Sequence, residues 1–203
     1  MAGTRTRTRI GSELSRYARA AAIAEELHHE CSVLLELYRK KEEFPEDLAF
    51  SEERLVTVPP SSSQLSVYDR VWRLYSALLQ CRTLLEGVVR REEVLGDGEV
   101  EAQYEGQKKT VTDRLGYLLE ITRRLLVDGD GNAALTPGPE NPELSDPKNG
   151  GLFVLKRGIY RVYSELEHWA LAASKSLRAL DPGAAAPKER GKRARNRGKR
   201  ARR

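Results

Sequence analysis

The sequence predicts an all-α protein, an up-up-down-down four-helix bundle with two long crossover loops. The first observation is that apolar residues recur at steps of three and four over four segments, each close to thirty residues long. The second is that the connections differ in length. A tight turn joins the second and third segments, whereas more than twenty residues join each of the other consecutive pairs. One short turn between two long connections is typical of this topology.

The first helix is predicted from about Ser12 to Lys41. Apolar residues recur at steps of three and four through this segment and form one helix face, with Leu27, Cys31 and Leu34 at its centre. Ser12 is a plausible N-cap, and Pro45 stops the pattern because proline does not continue a helix.

The second helix is predicted over residues 66–94 and the third over residues 99–127. Residues 95–98 join them, and their Gly-Asp-Gly sequence is typical of a tight turn between antiparallel neighbours. The fourth helix is predicted over residues 150–180. Its apolar face continues from Leu152 through Leu166 to Trp169, so we expect Trp169 to lie in the core.

The two long connections are residues 42–65 and residues 128–149. Twenty-odd extended residues reach roughly 70 Å, and a thirty-residue helix is roughly 45 Å long. Each connection is therefore long enough to run back along a helix, as an overhand crossover requires.

The net charge of +5 is unevenly distributed along the chain. Residues 188–203 carry +9 and residues 1–9 carry +3, which leaves −7 for residues 10–187. We therefore divide the chain into a flexible basic N-terminal arm (1–11), a helical domain (12–180) and a disordered basic C-terminal tail (181–203).

The basic tail suggests contact with a polyanion. It contains ten Lys and Arg residues in sixteen and no aromatic residue to stack on bases, which favours phosphate or sulfate contact without sequence readout. The alternative is a solvated tail that raises solubility. The candidate polyanion-binding residues are Lys192, Arg193, Arg195, Arg197, Lys199 and Arg200.

The sequence carries no pattern typical of an enzyme, and we predict no catalytic residues, cofactor or metal. His28 and His29 are adjacent, so a helix points them in directions about 100° apart, and they cannot both bind one metal ion from the same face. Cys31 and Cys81 fall on apolar helix faces, so they are predicted to be buried thiols. No segment approaches the roughly 20 apolar residues of a membrane helix. No secretory leader is recognisable, so we expect a cytoplasmic protein that needs an unconventional release route for any extracellular role.

The fourth helix carries residues that resemble a known family. Residues 150–156 read Gly-Gly-Leu-Phe-Val-Leu-Lys and residues 164–169 read Ser-Glu-Leu-Glu-His-Trp. They resemble the last helix of the ciliary neurotrophic factor branch of the interleukin-6 cytokine family, which carries Phe-x-x-Lys and a later Glu-Leu-x-x-Trp. Cardiotrophin-like branches share the Phe-x-x-Lys motif. The first and second helices agree with the family more weakly, through residues 36–38 and residues 82–83.

The resemblance implies a long-chain cytokine, a neurotrophic ligand without enzymatic activity. Such ligands assemble an alpha receptor, here the ciliary neurotrophic factor receptor alpha, with the leukaemia inhibitory factor receptor and the shared glycoprotein transducer. The assembly triggers kinase signalling that supports neuronal survival or differentiation. Phe153 and Lys156 match the motif that engages the leukaemia inhibitory factor receptor, and Arg178 matches a family arginine on the alpha-receptor surface.

Two alternatives stay open at this stage. Phe153 could instead fold under the preceding loop as a hydrophobic staple. The whole chain could be an intracellular helical adaptor whose basic tail binds nucleic acid or another polyanion. In the cytokine interpretation, the tail is a candidate contact for heparan sulfate at the cell surface.

Overall fold

The computed structural model describes residues 4–45, 54–58, 65–95, 102–129 and 151–181. Within these ranges the chain is all-helical. It forms four helices and no strand: α1 (Thr4–Lys41), α2 (Val67–Leu95), α3 (Ala102–Gly129) and α4 (Gly151–Leu180). The candidate polyanion residues of the C-terminal tail lie outside the described ranges.

The helix boundaries follow the sequence closely except at the start of α1. This helix begins at Thr4, within the stretch that the sequence predicted as a flexible arm, and Ser12 lies inside the helix and is not its cap. The start of α2 is capped by Ser66. The Ser66 Oγ atom accepts a hydrogen bond from the Asp69 backbone N–H at 3.1 Å, and the Asp69 carboxylate accepts one from the Ser66 N–H at 3.3 Å. This reciprocal pair is a capping box with Asp in place of the usual Glu or Gln.

Each helix packs against two of the other three. α1 contacts α3 and α4, and α2 contacts the same two helices. The buried apolar residues form one core that includes residues of all four helices. An arrangement of this kind is compatible with a four-helix bundle. The largest fully buried side chains of this core are Tyr38, Tyr104, Tyr163, Leu27, Leu34, Leu78, Leu85, Leu115, Leu118, Ile159, Leu166 and Leu177.

Residues 54–58, which precede α2, lie against α2 and α4. Val56 is buried in the core. Thr57 exchanges two hydrogen bonds with the Gln80 side chain of α2, at 3.2 and 3.1 Å. The Arg54 guanidinium lies 3.7 Å from the Glu165 carboxylate of α4. This segment therefore covers the middle of the α2–α4 groove.

The predicted core residues are mostly confirmed. Trp169, Cys31 and Cys81 are buried as expected. Leu152 and Val67 were placed on apolar faces by periodicity, but both are exposed. Each lies in the first turn of its helix, where the periodic face extends beyond the neighbouring helices. In the part of the chain that the structure describes, no helix is long and apolar enough to cross a membrane.

Candidate functional site

The C-terminus of α1 ends in a tight reversal that shapes the adjacent surface. The Phe44 N–H donates to the Arg39 carbonyl at 3.0 Å, and the Glu43 N–H donates to the Lys40 carbonyl at 3.2 Å. Glu43 has a φ of 53°, in the left-handed region. These two hydrogen bonds and the left-handed residue between them constitute a Schellman motif, with Glu43 at the position usually taken by glycine.

The reversal turns Phe44 back onto the helices. Its ring lies 6.2 Å from the Tyr38 ring, the hydrophobic contact that often accompanies this motif. The same ring meets two aromatic residues of α4 edge-on, Phe153 at 6.2 Å and Tyr160 at 6.0 Å. Phe44 is buried, whereas Phe153 remains 56% exposed. Phe153 therefore rests on Phe44 while leaving more than half of its surface to solvent.

Lys156 is held by the same end of α1. Its Nζ atom lies 2.5 Å from the Glu42 Oε2 atom, and the Glu42 side chain is only 4% exposed. The Tyr38 hydroxyl donates to the Lys156 carbonyl at 3.3 Å. Because Phe153 and Lys156 are three residues apart, they lie on the same side of α4. The residues that end α1 thus supply one partner for each of them.

Two more apolar side chains extend this exposed area. Leu152 and Val154, in the first turn of α4, are exposed beside Phe153. We call Leu152, Phe153, Val154 and Lys156 the Phe153 surface. Successive side chains of a helix point about 100° apart, so these three apolar side chains spread around the start of α4 and expose apolar surface in several directions.

A buried polar network lies in the core near this end of α1. The Tyr104 hydroxyl donates to the Glu92 carboxylate at 2.6 Å and lies 2.7 Å from the Tyr163 hydroxyl, which therefore donates to Tyr104. The Lys108 Nζ atom lies 2.7 Å from Glu92 and 2.5 Å from Glu105. The rings of Tyr104 and Tyr163 both pack against Tyr38. Because every polar group here has a partner, the network fixes α4, which carries the Phe153 surface, against α2 and α3.

The charge states of this network follow from its surroundings. Burial, the facing Tyr163 hydroxyl and the Glu92 carboxylate raise the pKa of Tyr104 above its ordinary value. Burial and Glu92 likewise raise the pKa of Tyr163. Burial opposes the charge of Lys108, but its bonds to Glu105 and Glu92 outweigh that cost and raise its pKa. At neutral pH the two tyrosines are therefore neutral donors and Lys108 is a cation.

Arg178 lies far from the Phe153 surface. It is exposed near the end of α4, and its guanidinium bonds the Glu25 carboxylate of α1. Since 25 residues of helix separate Phe153 from Arg178, the two are about 37 Å apart along α4. The structure thus brings Phe153 and Lys156 together and leaves Arg178 near the opposite end of that helix.

Trp169, near the middle of α4, contacts two charged residues, Glu165 and Arg73. Its indole N–H donates to the buried Glu165 carboxylate at 2.9 Å. The Arg73 guanidinium of α2 lies 5.6 Å from the centre of the Trp169 ring. The interpretation of Trp169 as a core residue is confirmed by its burial. The described residues contain no group of His, Cys, Asp and Glu side chains placed to hold a metal ion.

Sequence reasoning missed Glu42 and Phe44, the partners of Lys156 and Phe153. A signal for Phe44 was present, since an apolar residue directly before Pro45 is typical of a Schellman cap. The motif was not recognised from the sequence because its left-handed position carries Glu43 and not the usual glycine. Nothing in the sequence indicated Glu42, because its partner is 114 residues away along the chain.

The comparisons with known proteins place no further constraint on this site. No protein-family model matches the chain, and no curated protein matches it significantly.

Proposed function

We propose that the chain is a signalling ligand of the interleukin-6 cytokine family that binds a leukaemia inhibitory factor receptor through the Phe153 surface. In this proposal the ligand also engages the ciliary neurotrophic factor receptor alpha and the shared glycoprotein transducer, and the assembled receptors trigger kinase signalling. The observation that carries the proposal is an exposed phenylalanine and a fixed lysine at the start of the last helix. An aromatic residue beside a cation is typical of the residues that dominate binding energy at interfaces.

The proposed topology is up-up-down-down, and contacts between helices support it. Glu25 of α1 contacts Arg178 while Tyr38 contacts Lys156, so residue numbers rise along α1 as they fall along α4. The same opposite order relates α1 to α3. Glu26 of α1 contacts Arg114 of α3, and Gln107 of α3 donates to Glu30 of α1.

The contacts of α2 fit the same topology. Glu92, near the end of α2, contacts Tyr104 and Lys108, near the start of α3. Because only residues 96–101 separate these two helices, they are expected to run antiparallel. In an up-up-down-down bundle α1 and α2 would then run parallel and require a long crossover. Residues 54–58, which contact the middle of α2 and α4, lie on the path that such a crossover would take.

The environment of Phe153 favours a binding contact over a staple. A staple residue packs beneath the chain that precedes its helix. Phe153 packs edge-on against Phe44 of another element and keeps more than half of its surface accessible. The Glu42 ion pair further limits the rotamers of Lys156. A partner would therefore lose little side-chain entropy when it binds these two residues, which favours affinity.

The proposal is tested by the double substitution Phe153→Ala and Lys156→Ala. Binding to the soluble ectodomain of the leukaemia inhibitory factor receptor should fall at least about 30-fold, since two anchor residues of about 1–2 kcal/mol or more each are removed. The matched control is Tyr117→Ala with Lys109→Ala, an exposed aromatic and an exposed lysine on α3. Circular dichroism should show equal helix content in all three proteins.

Two results would contradict the proposal. One is equal receptor binding by the double variant and the control, which would remove the Phe153 surface as the binding site. The other is absence of binding to every interleukin-6-family receptor ectodomain by the unmodified chain. If that chain instead binds RNA or DNA with a strong salt dependence, and removal of residues 188–203 abolishes it, the intracellular adaptor is the better description. Arg178→Ala separately tests the alpha-receptor contact and should leave binding to the leukaemia inhibitory factor receptor unchanged.

A further inference from the structure

A groove between α1 and α3 is separate from every surface described so far. Arg16 and Arg19 of α1 line one side, and Tyr117 and Arg124 of α3 line the other. Its volume is about 240 Å³, just below the roughly 300–1,000 Å³ of pockets that hold whole cofactors or drug-sized ligands. The groove is therefore of a size to hold one charged group and part of its carrier.

The groove lining is positively charged. Arg16, Arg19 and Arg124 are all exposed, and the one carboxylate in the lining is Glu120. Glu120 accepts hydrogen bonds from both Arg123, at 3.0 Å, and Arg124, at 2.8 Å. Hydrogen bonds from these two guanidiniums lower the pKa of Glu120 to about 2, so it stays ionised. Three guanidiniums against one carboxylate leave the lining with a net charge of +2.

The rest of the groove is suited to a ring-shaped carrier. Ile121 and Leu125, which are partly and largely buried, contribute apolar surface to the lining. Tyr117 is 54% exposed and offers an aromatic edge and hydroxyl at the rim. An apolar floor with a few polar groups around it is typical of sites that fix the orientation of a small ring.

The charges of the described helices are close to balanced. Within residues 10–187 the described ranges carry 21 basic and 18 acidic side chains, a net charge of +3. A local cluster of guanidiniums on this surface attracts an anionic polymer. The planar guanidinium fork bonds oxyanions with two parallel N–H groups, which a lysine cannot do.

We propose that the α1–α3 groove binds a sulfated sugar unit of a sulfated polysaccharide, with its sulfate between Arg16, Arg19 and Arg124. Nucleic acid fits the groove less well. Proteins that hold single strands combine a long basic track with several stacking aromatics, whereas Tyr117 is the sole aromatic side chain of the groove lining. This site uses none of the Phe153 surface and does not depend on the receptor assignment.

The test uses the full-length chain and a heparin octasaccharide, with affinity measured by isothermal titration calorimetry. Arg16→Gln with Arg19→Gln removes two guanidiniums from the groove. Arg90→Gln with Lys175→Gln removes the same charge from exposed positions of α2 and α4. Because both variants keep the C-terminal tail, any contribution of the tail cancels when the two are compared.

We expect the groove variant to bind the octasaccharide about tenfold more weakly than the control variant. By the counterion release known for nucleic acids, the slope of log affinity against log salt should also fall by about two. In the unmodified chain, heparin should slow hydrogen exchange of backbone amides near residues 16–19 and 117–125. Circular dichroism of both variants checks that the fold is retained.

Three results would overturn the proposal. Equal affinity of the groove and control variants would show that the octasaccharide binds elsewhere. Equal binding of a desulfated octasaccharide by the unmodified chain would remove the role of sulfate. The third result is that Arg16→Gln with Arg19→Gln weakens the binding of an RNA oligonucleotide of equal charge but not the binding of the octasaccharide. The groove would then be a site for phosphate polymers.

Discussion

The left-handed Glu43 offers the sharpest test of the α1 cap. A non-glycine residue in this conformation costs about 1–2 kcal/mol, because its Cβ approaches the following carbonyl. Glycine has no Cβ but loses about 0.5–1 kcal/mol more than other residues when the chain folds. Glu43 is exposed and makes no side-chain hydrogen bond or ion pair among the described residues. Glu43→Gly should therefore raise the free energy of unfolding by about 0.5–1 kcal/mol.

The assay is thermal unfolding followed by circular dichroism at 222 nm. For a chain of about 200 residues, each kcal/mol shifts Tm by about 2–4 °C, so we expect a rise of about 1–4 °C. Glu43→Ala removes the same carboxylate but keeps a Cβ, and should leave Tm nearly unchanged. Glu86→Gly, an exposed acidic residue inside α2, should lower the stability by about 1 kcal/mol, the cost of glycine in a helix interior.

Two outcomes would refute the reasoning about this cap. If Glu43→Gly lowers Tm as Glu86→Gly does, then residue 43 is not held in the left-handed region. If Glu43→Ala raises Tm as much as Glu43→Gly, the gain comes from removing a negative charge near Glu42 and not from the backbone.

Three further predictions concern the core. Tyr104→Phe should lower the free energy of unfolding by about 1–3 kcal/mol in a urea titration, because it leaves the buried Tyr163 hydroxyl without an acceptor and removes one of the two donors to the Glu92 carboxylate, which keeps Lys108. Tyr117→Phe, at an exposed position, should change it by less than about 0.5 kcal/mol. The raised pKa values of Tyr104 and Tyr163 mean that both stay neutral in the folded protein above pH 10, where they ionise when unfolded. Their contribution to stability is thus full below about pH 10 and is lost as pH rises toward their folded pKa values. Absorbance at 295 nm should show late ionisation of Tyr104 and Tyr163, together with Tyr160, whose pKa burial also raises. A native protein in which every tyrosine titrates near pH 10 would contradict this. Burial raises the pKa of the Cys31 and Cys81 thiols, so a thiol-specific reagent at pH 8 should label neither in the native chain and both in urea. Rapid labelling of either thiol in the native chain would contradict this.

What the sequence determined by itself was the helical content and the buried faces. Leu27, Leu78, Leu115 and Leu166 lie in the core because steps of three and four place apolar side chains on one side of a helix, a property of local geometry. Exposed Phe153 could also be anticipated, since the first turn of a helix often extends past its neighbours. Periodicity failed at Leu152 and Val67 for the same reason. It describes the direction of a side chain and not where the neighbouring helix ends.

Only the tertiary structure decided which side chains meet. Glu42 and Lys156 are 114 positions apart, and Arg16 and Arg124 of the groove are 108 apart, so no spacing rule relates them. The length and composition of the segment between two helices do not determine which of their residues come into contact. These pairs form because α1 is long enough to pack against both α3 and α4, and its two halves then contribute to two different surfaces. The identity of the residues came from the sequence, and their juxtaposition came from helix packing.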